Sequence, residues 1–133
     1  MADKIKFIIP GKPEYLTMVR LAIGSVAGVA DFNLDEIEDI KTAVGEACKN
    51  ISCHGSDGFA EEYTLECISE EGYVEIYVTD TSAGHKLKKL SKICVDCPNE
   101  GDLGIFVIKS LMNEVELLDN PEGKKTIKMV KRK

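Results

Sequence analysis

One segment of the sequence, residues 33–52, constrains the fold more than any other. Its sequence is NLDEIEDIKTAVGEACKNIS, and its apolar residues recur at the spacing of one helix face: Ile37, Ile40, Val44, Ala47 and Ile51. Asn33 is placed to cap the helix, and Glu36 follows it at the spacing of a capping box. The segment therefore predicts an amphipathic helix that packs one face against a core.

The same segment carries two polar residues, Glu46 and Asn50, on its second half. Residues four apart on a helix project from one face about one turn apart, so this carboxylate and this amide can serve one site. Such pairs are also common on the exposed flank of an ordinary helix. Support for a functional role has to come from elsewhere in the chain.

The rest of the sequence predicts an alternation of strands and helices around this segment. The expected elements are a strand at 4–10, a helix at 13–32, two hairpin strands at 61–70 and 72–80, a long connection at 81–100, a helix and a strand within 101–117, and a last strand at 123–132. The first strand is expected at an edge of the sheet. This order predicts an α/β sandwich whose mainly antiparallel sheet carries the helices on one face.

The expected helix at 13–32 has a wide apolar face. Its apolar residues at broadly helical spacing are Leu16, Val19, Leu21, Ile23, Val26 and Val29. Pro13 suits the first turn of this helix, because a proline there loses no helical hydrogen bond.

Composition narrows the class of protein. With 133 residues, we expect a single domain over residues 1–133. The 17 basic and 23 acidic residues give a formal charge of −6, which argues against direct binding to nucleic acid. No apolar stretch is long enough for a membrane span, so we expect a cytoplasmic protein that binds no membrane. The five cysteines are an odd number, and they are expected to be reduced thiols.

Two further segments, VTDTSAGH and GDLGIFVIKSLM, carry residues suited to a nucleotide. Asp80 lies at a predicted strand end, where its carboxylate can accept a hydrogen bond from an exocyclic amine. Gly84 nearby lets the backbone approach a flat base. Gly101 and Gly104 precede a helix, where backbone N–H groups can face a phosphate. Each signal is weak by itself because glycines near strand ends are mostly turn residues.

Taken in order, these segments resemble the GHKL ATPase superfamily, and within it the RsbW-like anti-sigma factors that are also serine protein kinases. DEIEDIKTAVGEACKN is similar to the N-box helix of that family, VTDTSAG to its first glycine box, GDLGIFVIKSLMNEVEL to its second, and GKKTIKMV to its closing strand. The chain lacks the glycine-rich and catalytic motifs of P-loop NTPases, eukaryotic-type protein kinases and dinucleotide-binding folds. The resemblance implies a Bergerat-type fold that binds ATP with Mg²⁺.

The resemblance also implies roles for particular residues. Glu46 would be the general base, Asn50 would supply an oxygen to Mg²⁺, Asp80 would bond the adenine amino group, and Thr126 would lie near the adenine. Arg20 lies in a segment similar to the one with which the family grips partner proteins. The implied partners are a sigma factor and an anti-anti-sigma factor that is phosphorylated on serine, and relatives suggest a homodimer.

Two departures from the family pattern keep an alternative open. Ser82 stands where the first glycine box has its first glycine, and the connection at 85–100 contains no arginine. Its lysines, which could take the place of an arginine near the phosphates, are Lys86, Lys88, Lys89 and Lys92. The alternative is a catalytically silent interaction module that binds its partners without nucleotide.

CVDC at residues 94–97 is a second alternative signal. Two thiols at this spacing, Cys94 and Cys97, can bind zinc or cycle as a redox pair. A structural zinc site needs four ligands, and the sequence offers no second C-x-x-C. Cys48, Cys53 and His54 could complete the site only if the fold brought them to this connection. The favoured interpretation is that Cys94 and Cys97 are ordinary cysteines of the connection.

Overall fold

The helices and strands follow the predicted order. A computed structural model of the chain describes residues 2–51, 62–80, 103–119 and 125–133. The elements are β1 (Asp3–Pro10), a 3₁₀ turn (Pro13–Tyr15), α1 (Leu16–Val29), α2 (Leu34–Asn50), β2 (Glu62–Glu70), β3 (Tyr73–Asp80), α3 (Leu103–Leu111), β4 (Glu114–Asp119) and β5 (Lys125–Arg132). The predicted α/β architecture is confirmed.

The five strands form one antiparallel sheet in the order β1-β2-β3-β5-β4. β1 lies at an edge, as the sequence predicts. β2 and β3 are joined by a tight turn in which Gly72 has a φ of 71°, a conformation that favours glycine. The resulting register pairs Tyr63 with Asp80 at the far end of the hairpin. The last residue of β3 is therefore placed beside the start of β2.

The two faces of the sheet differ because successive side chains of a strand point to opposite faces. On β2 and β3, one side-chain set is buried: Tyr63, Leu65, Cys67, Ser69, Val74, Ile76, Val78 and Asp80. The helices cover this face, and α2 lies between α1 and α3 with contacts to β3. The prediction that the helices pack on one face of the sheet is thus confirmed.

α2 begins with the capping box that its sequence predicts. The Asn33 side chain accepts a hydrogen bond from the Glu36 amide at 2.8 Å, and the Glu36 carboxylate accepts one from the Asn33 amide at 2.9 Å. The residues that the helix buries are Ile40, Ala43, Val44, Gly45, Ala47 and Cys48. This buried stripe fixes the rotation of α2, and with it the direction of Glu46 and Asn50.

The predicted apolar face of α1 is partly wrong. Leu21 and Val29 are 65% and 77% exposed, because they lie on the side of the helix away from the buried Val19, Ile23 and Val26. The helix also begins later than predicted, since Pro13 lies in the 3₁₀ turn. Neither α1 nor any other helix in the described part of the chain is long and apolar enough to cross a membrane.

One lysine of β5 connects the sheet to two helices. The Lys131 ammonium donates a hydrogen bond to the Leu111 carbonyl at 2.6 Å and lies 3.6 Å from the Asp39 carboxylate. Leu111 ends α3 and Asp39 lies on α2, so the lysine satisfies a terminal carbonyl and links the two helices. Its side chain is only 15% exposed. The C-terminal end of α3 is thereby fixed relative to α2.

The other face of the sheet carries a polar cluster on β3. The hydroxyls of Tyr73 and Tyr77 both donate hydrogen bonds to the Glu75 carboxylate. These hydrogen bonds stabilise the charged carboxylate and lower the pKa of Glu75 below its ordinary value. The cluster orders the middle of β3 on the face opposite the helices.

Candidate functional site

Glu46 and Asn50 lie together on the last two turns of α2. The Asn50 amide nitrogen donates a hydrogen bond to the Glu46 carbonyl at 2.6 Å and lies 3.5 Å from the Glu46 carboxylate. Lys49 approaches the other carboxylate oxygen at 3.8 Å. The Glu46 side chain is 27% exposed and Asn50 is partly buried, so both remain within reach of a ligand.

The orientation of the Asn50 amide has a chemical consequence. Because its nitrogen is bound to the helix, its oxygen is directed away from Glu46. Within the described residues, that oxygen accepts no hydrogen bond. A partly buried amide oxygen in this orientation is a hard ligand suited to Mg²⁺.

α3 begins directly beside Asn50. A Cβ atom added to Gly104 would lie 2.5 Å from the Asn50 amide nitrogen and 3.0 Å from its oxygen. Real Cβ atoms do not approach other atoms so closely, and the glycine is therefore required for this contact. It brings the N-terminal turn of α3 next to the Glu46 and Asn50 pair. A helix N-terminus favours anionic groups, so negative charge is accommodated at this point.

Asp80 is a buried carboxylate at the end of β3. It is 4% exposed. Among the described residues, Ser69 is the only other buried residue of the polar or charged type. Strand alternation places it on the helix-covered face together with Val78. A carboxylate here faces the layer between the sheet and the helices.

The structure does not bring the Thr126 side chain to Asp80. Thr126 pairs with Thr79, and the two hydroxyl oxygens are 2.9 Å apart. Thr79 and Asp80 are neighbours in one strand, so their side chains point to opposite faces of the sheet. The same alternation places Lys125 of β5, which sequence reasoning missed, on the face of Asp80.

Arg20 is half-buried between α1 and α2. A Cβ atom added to Gly45 would lie 2.9 Å from both Nε and a terminal nitrogen of the Arg20 guanidinium. The guanidinium therefore lies directly on the backbone of α2, one residue before Glu46. The only signal for this contact in the sequence is a glycine inside a helix, where glycine is unfavourable.

The remaining predicted residues lie outside the described part of the chain. These residues are Ser82, Gly84, Gly101, Cys53, His54, Cys94, Cys97 and the four lysines of the 85–100 connection.

The thiol of Cys48 is in the protein core. Burial raises its pKa to about 12, and burial likewise raises the pKa of Cys67 to about 12. Both thiols are therefore neutral and poor metal ligands. Across residues 2–51, 62–80, 103–119 and 125–133, no group of three or more acidic, histidine or cysteine side chains could hold a metal ion. In these residues, nothing supports the zinc alternative.

Comparison with known proteins identifies the family. The model of the histidine kinase-like ATPase domain matches residues 9–131. The chain belongs to this family. The match spans every element from the end of β1 to β5, including the helix that carries Glu46 and Asn50. The resemblance found in the sequence is thus confirmed.

The curated relatives are serine-protein kinases named RsbW. The chain is 36% identical over 129 residues to the protein of Bacillus pumilus, covering 89% of this chain and 80% of the relative. It is 33% identical over 126 residues to the protein of Listeria monocytogenes serovar 1/2a, covering 88% and 80%. At this identity and coverage, the chain belongs with the RsbW serine-protein kinases.

Two solved structures share the fold. The RsbU and RsbW domains of a Mycobacterium tuberculosis protein match with a TM-score of 0.68 at 14% identity, covering 98% of this chain and 32% of that longer chain. The SiaB–SiaC complex of Pseudomonas aeruginosa matches with a TM-score of 0.58 at 14% identity, covering 96% and 88%. The antiparallel sheet with helices on one face is therefore shared by these proteins.

Proposed function

We propose that the protein is an anti-sigma factor and an ATP-dependent serine protein kinase. In this proposal it sequesters a sigma factor and phosphorylates an anti-anti-sigma factor on serine. Membership of the ATPase family and the kinase names of its relatives support the enzyme class. The observation that carries the proposal is the meeting of Glu46, Asn50 and the N-terminus of α3 at Gly104.

The donor set fits a magnesium ion bound with nucleotide. Asn50 contributes one amide oxygen, and Mg²⁺ in such sites is held by one or two protein oxygens together with phosphates and waters. When bound, Mg²⁺ would supply positive charge that offsets the charge of the phosphates. A cluster of several carboxylates is not needed for such an ion.

Glu46 is assigned as the general base of the reaction. Its carboxylate is held near Asn50 by the shared helix turn, so a serine hydroxyl beside the phosphates lies within its reach. The carboxylate takes the proton as the serine oxygen bonds to the terminal phosphorus of ATP, while the bond from that phosphorus to the bridging oxygen breaks and ADP leaves. Lys49 lies beside this carboxylate, with its ammonium 3.8 Å from one of the two oxygens.

The nucleotide is assigned to the layer between the sheet and α2 and α3. Asp80 accepts the hydrogen bond of the adenine amino group, and Gly84 allows the base to approach the backbone. The phosphates are assigned to the start of α3 at Gly104, and Gly101 is assigned to the same group because of the resemblance to the family. The Thr126 side chain lies on the opposite face of the sheet, so the contribution of this residue to the adenine pocket is assigned to the backbone of β5.

The partners and the assembly are proposed by analogy with the relatives. We assign the sigma factor and the anti-anti-sigma factor to one surface that includes Arg20, and we assign a single domain, a homodimer and a cytoplasmic location to the chain. The similar SiaB protein was crystallised in a complex with SiaC, so this fold supports binding of a second protein. The catalytically silent alternative is not favoured, because the relatives are named as kinases.

A phosphorylation assay tests the proposed function. Purified protein is incubated with radiolabelled ATP, Mg²⁺ and an anti-anti-sigma protein encoded in the same genome. Wild type is expected to label a serine, and Glu46→Gln is expected to bind ATP but to label it at least about 100-fold more slowly, as for loss of a general base. Asp35→Asn makes the equivalent change from carboxylate to amide on the exposed first turn of α2 and serves as the control. Labelling at the wild-type rate by Glu46→Gln refutes the assignment.

A further inference from the structure

The contact between Arg20 and Gly45 joins α1 to α2. When a Cβ is built on Gly45, its three nearest atoms all belong to the Arg20 guanidinium, at 2.9, 2.9 and 3.3 Å. Gly45 is buried inside α2, and α1 presents Arg20 to it. The space that a side chain at position 45 would occupy is thus filled by the guanidinium.

Two other glycines of the helix pair show that this contact is specific. Gly28 of α1 has no atom within 4 Å of a built Cβ. Gly24 has the Lys41 side chain at 3.2 Å, a distance that a small movement of a flexible chain relieves. At Gly45 the contact is closer, at 2.9 Å, so alanine is accommodated only when the guanidinium at the end of the Arg20 side chain moves off the α2 backbone.

We propose that Gly45 is a positioning residue that seats the guanidinium of Arg20 on α2. This inference rests on the proposed function, because it concerns the arginine assigned to partner binding. This contact between Gly45 and the Arg20 guanidinium, called the seat below, holds a long side chain in one orientation. Such ordering before binding reduces the entropy cost of association. The guanidinium then offers its remaining donors to the groove between α1 and α2, where Thr17 and Thr42 also lie.

The position of the seat also relates partner binding to catalysis. Gly45 and Glu46 are consecutive residues, so the arginine rests on the backbone beside the assigned general base. The groove offers a guanidinium fork, and the group that such a fork recognises best is a carboxylate or two backbone carbonyls of a partner protein. We therefore assign the groove to a partner segment that presents such oxygens.

Nuclear magnetic resonance tests the seat without any partner. The chain contains only two arginines, Arg20 and Arg132, so its arginine Nε–Hε region is expected to contain two signals. Gly45→Ala is expected to shift the Arg20 signal and to leave that of Arg132 in place. Gly28→Ala adds the same methyl group where space is open and should move neither. An Arg20 signal that does not respond to Gly45→Ala overturns the proposal.

A double-mutant cycle provides a second test in case one variant folds poorly. In the Arg20→Ala chain the guanidinium is gone, so Gly45→Ala should raise the unfolding temperature through the better helix propensity of alanine. In the chain that keeps Arg20, the same change should lower it. Equal changes in the two backgrounds would show that the residues are independent and would overturn the seat.

Kinase kinetics then separate this inference from the proposed function. With the anti-anti-sigma protein as substrate, Gly45→Ala should raise the KM for that protein about 10-fold, which corresponds to 1.4 kcal/mol, and leave the KM for ATP unchanged. If wild type phosphorylates nothing, the proposed function fails, while the magnetic resonance result still decides the seat. If the Arg20 signal moves but neither KM changes, the seat is not a determinant of partner binding and the positioning role is refuted.

Discussion

The close approach of α3 to Asn50 leads to a sharp prediction for Gly104→Ala. The added methyl group would lie 2.5 Å from the Asn50 amide nitrogen, so the amide has to rotate away from the Glu46 carbonyl. We expect the variant to fold normally and to lose nucleotide binding. The change in stability and the loss of nucleotide affinity can both be estimated.

The stability of the protein without nucleotide should change little. Losing the hydrogen bond from Asn50 to the Glu46 carbonyl costs about 0.5 to 1.5 kcal/mol of unfolding free energy. Replacing glycine by alanine in a helix returns up to about 1 kcal/mol. The two terms nearly cancel, so the unfolding temperature should stay within a few degrees of wild type.

Nucleotide binding should respond much more strongly. A hydrogen bond or ligand bond to a charged group is worth about 1.5 to 3 kcal/mol, so displacing the Asn50 oxygen weakens Mg-ATP binding by roughly 10- to 150-fold. At 100 times the wild-type Kd, Mg-ATP stabilises wild type by about 2.7 kcal/mol and a variant weakened 100-fold by only about 0.4 kcal/mol. For 133 residues, these values correspond to shifts of roughly 8 to 13 °C and 1 to 2 °C.

Thermal unfolding with and without Mg-ATP measures both quantities in one experiment. Asn50→Ala should lose the shift as Gly104→Ala does, and Gly28→Ala should keep it, because its methyl group meets no atom within 4 Å. A full wild-type shift in Gly104→Ala would refute the assignment of this contact to the nucleotide site. A large loss of stability without nucleotide would refute the claim that the contact is local.

Three further predictions concern the surroundings of the site. Asp80→Asn removes a buried carboxylate and should weaken ATP binding by about 10-fold or more in calorimetric titration, since hydrogen bonds to charged groups are worth about 1.5 to 3 kcal/mol. Lys131→Met leaves the Leu111 carbonyl without its donor and should lower the free energy of unfolding in denaturant by about 1 to 3 kcal/mol. Lys128→Met removes a more exposed ion pair of the same strand and should lower it by less than about 1 kcal/mol. The lowered pKa of Glu75 means that its stabilisation is present above the pKa of the unfolded chain and is lost as pH falls, so Glu75→Gln should flatten the acid side of the unfolding-temperature profile.

Each of these three predictions would be contradicted by a different result. Unchanged ATP affinity in Asp80→Asn would remove that residue from the adenine pocket. Equal losses in Lys131→Met and Lys128→Met would show that the link to α3 adds nothing beyond a surface ion pair. An acid-side profile in Glu75→Gln that matches wild type would mean that the hydrogen bonds of the two tyrosines do not stabilise the fold.

Local signals account for the parts of the fold that the sequence predicted well. The capping box at Asn33 and Glu36 involves residues three apart, and the alternation along β2 and β3 is a property of each strand by itself. The turn at Gly72 is likewise set by the conformational freedom of one residue. The order of the elements and the class of the sheet could be predicted from such signals, because these signals do not depend on contacts between distant segments.

Contacts between distant segments could not be predicted from local signals in the sequence. Thr126 was assigned to the adenine pocket by family position, yet the pairing of β3 with β5 places its side chain with Thr79 on the opposite face. A register difference of one residue reverses every side chain of a strand, and no feature of the β5 sequence alone fixes that register. The exposed side of Leu21 on α1 is a similar case, because packing decides which part of a wide apolar face is covered.

The two glycines of the helix contacts, Gly45 and Gly104, are explained by the same physical reason. Gly45 and Gly104 each stand where α2 meets another helix, and each leaves room for a polar group rather than for close backbone packing. At Gly45 the group is the Arg20 guanidinium, and at Gly104 it is the Asn50 amide. Glycine costs a helix up to about 1 kcal/mol relative to alanine, so a glycine at such a position requires a compensating contact. The polar groups that α2 holds toward α1 and α3 are therefore fixed by its neighbours as much as by its own sequence.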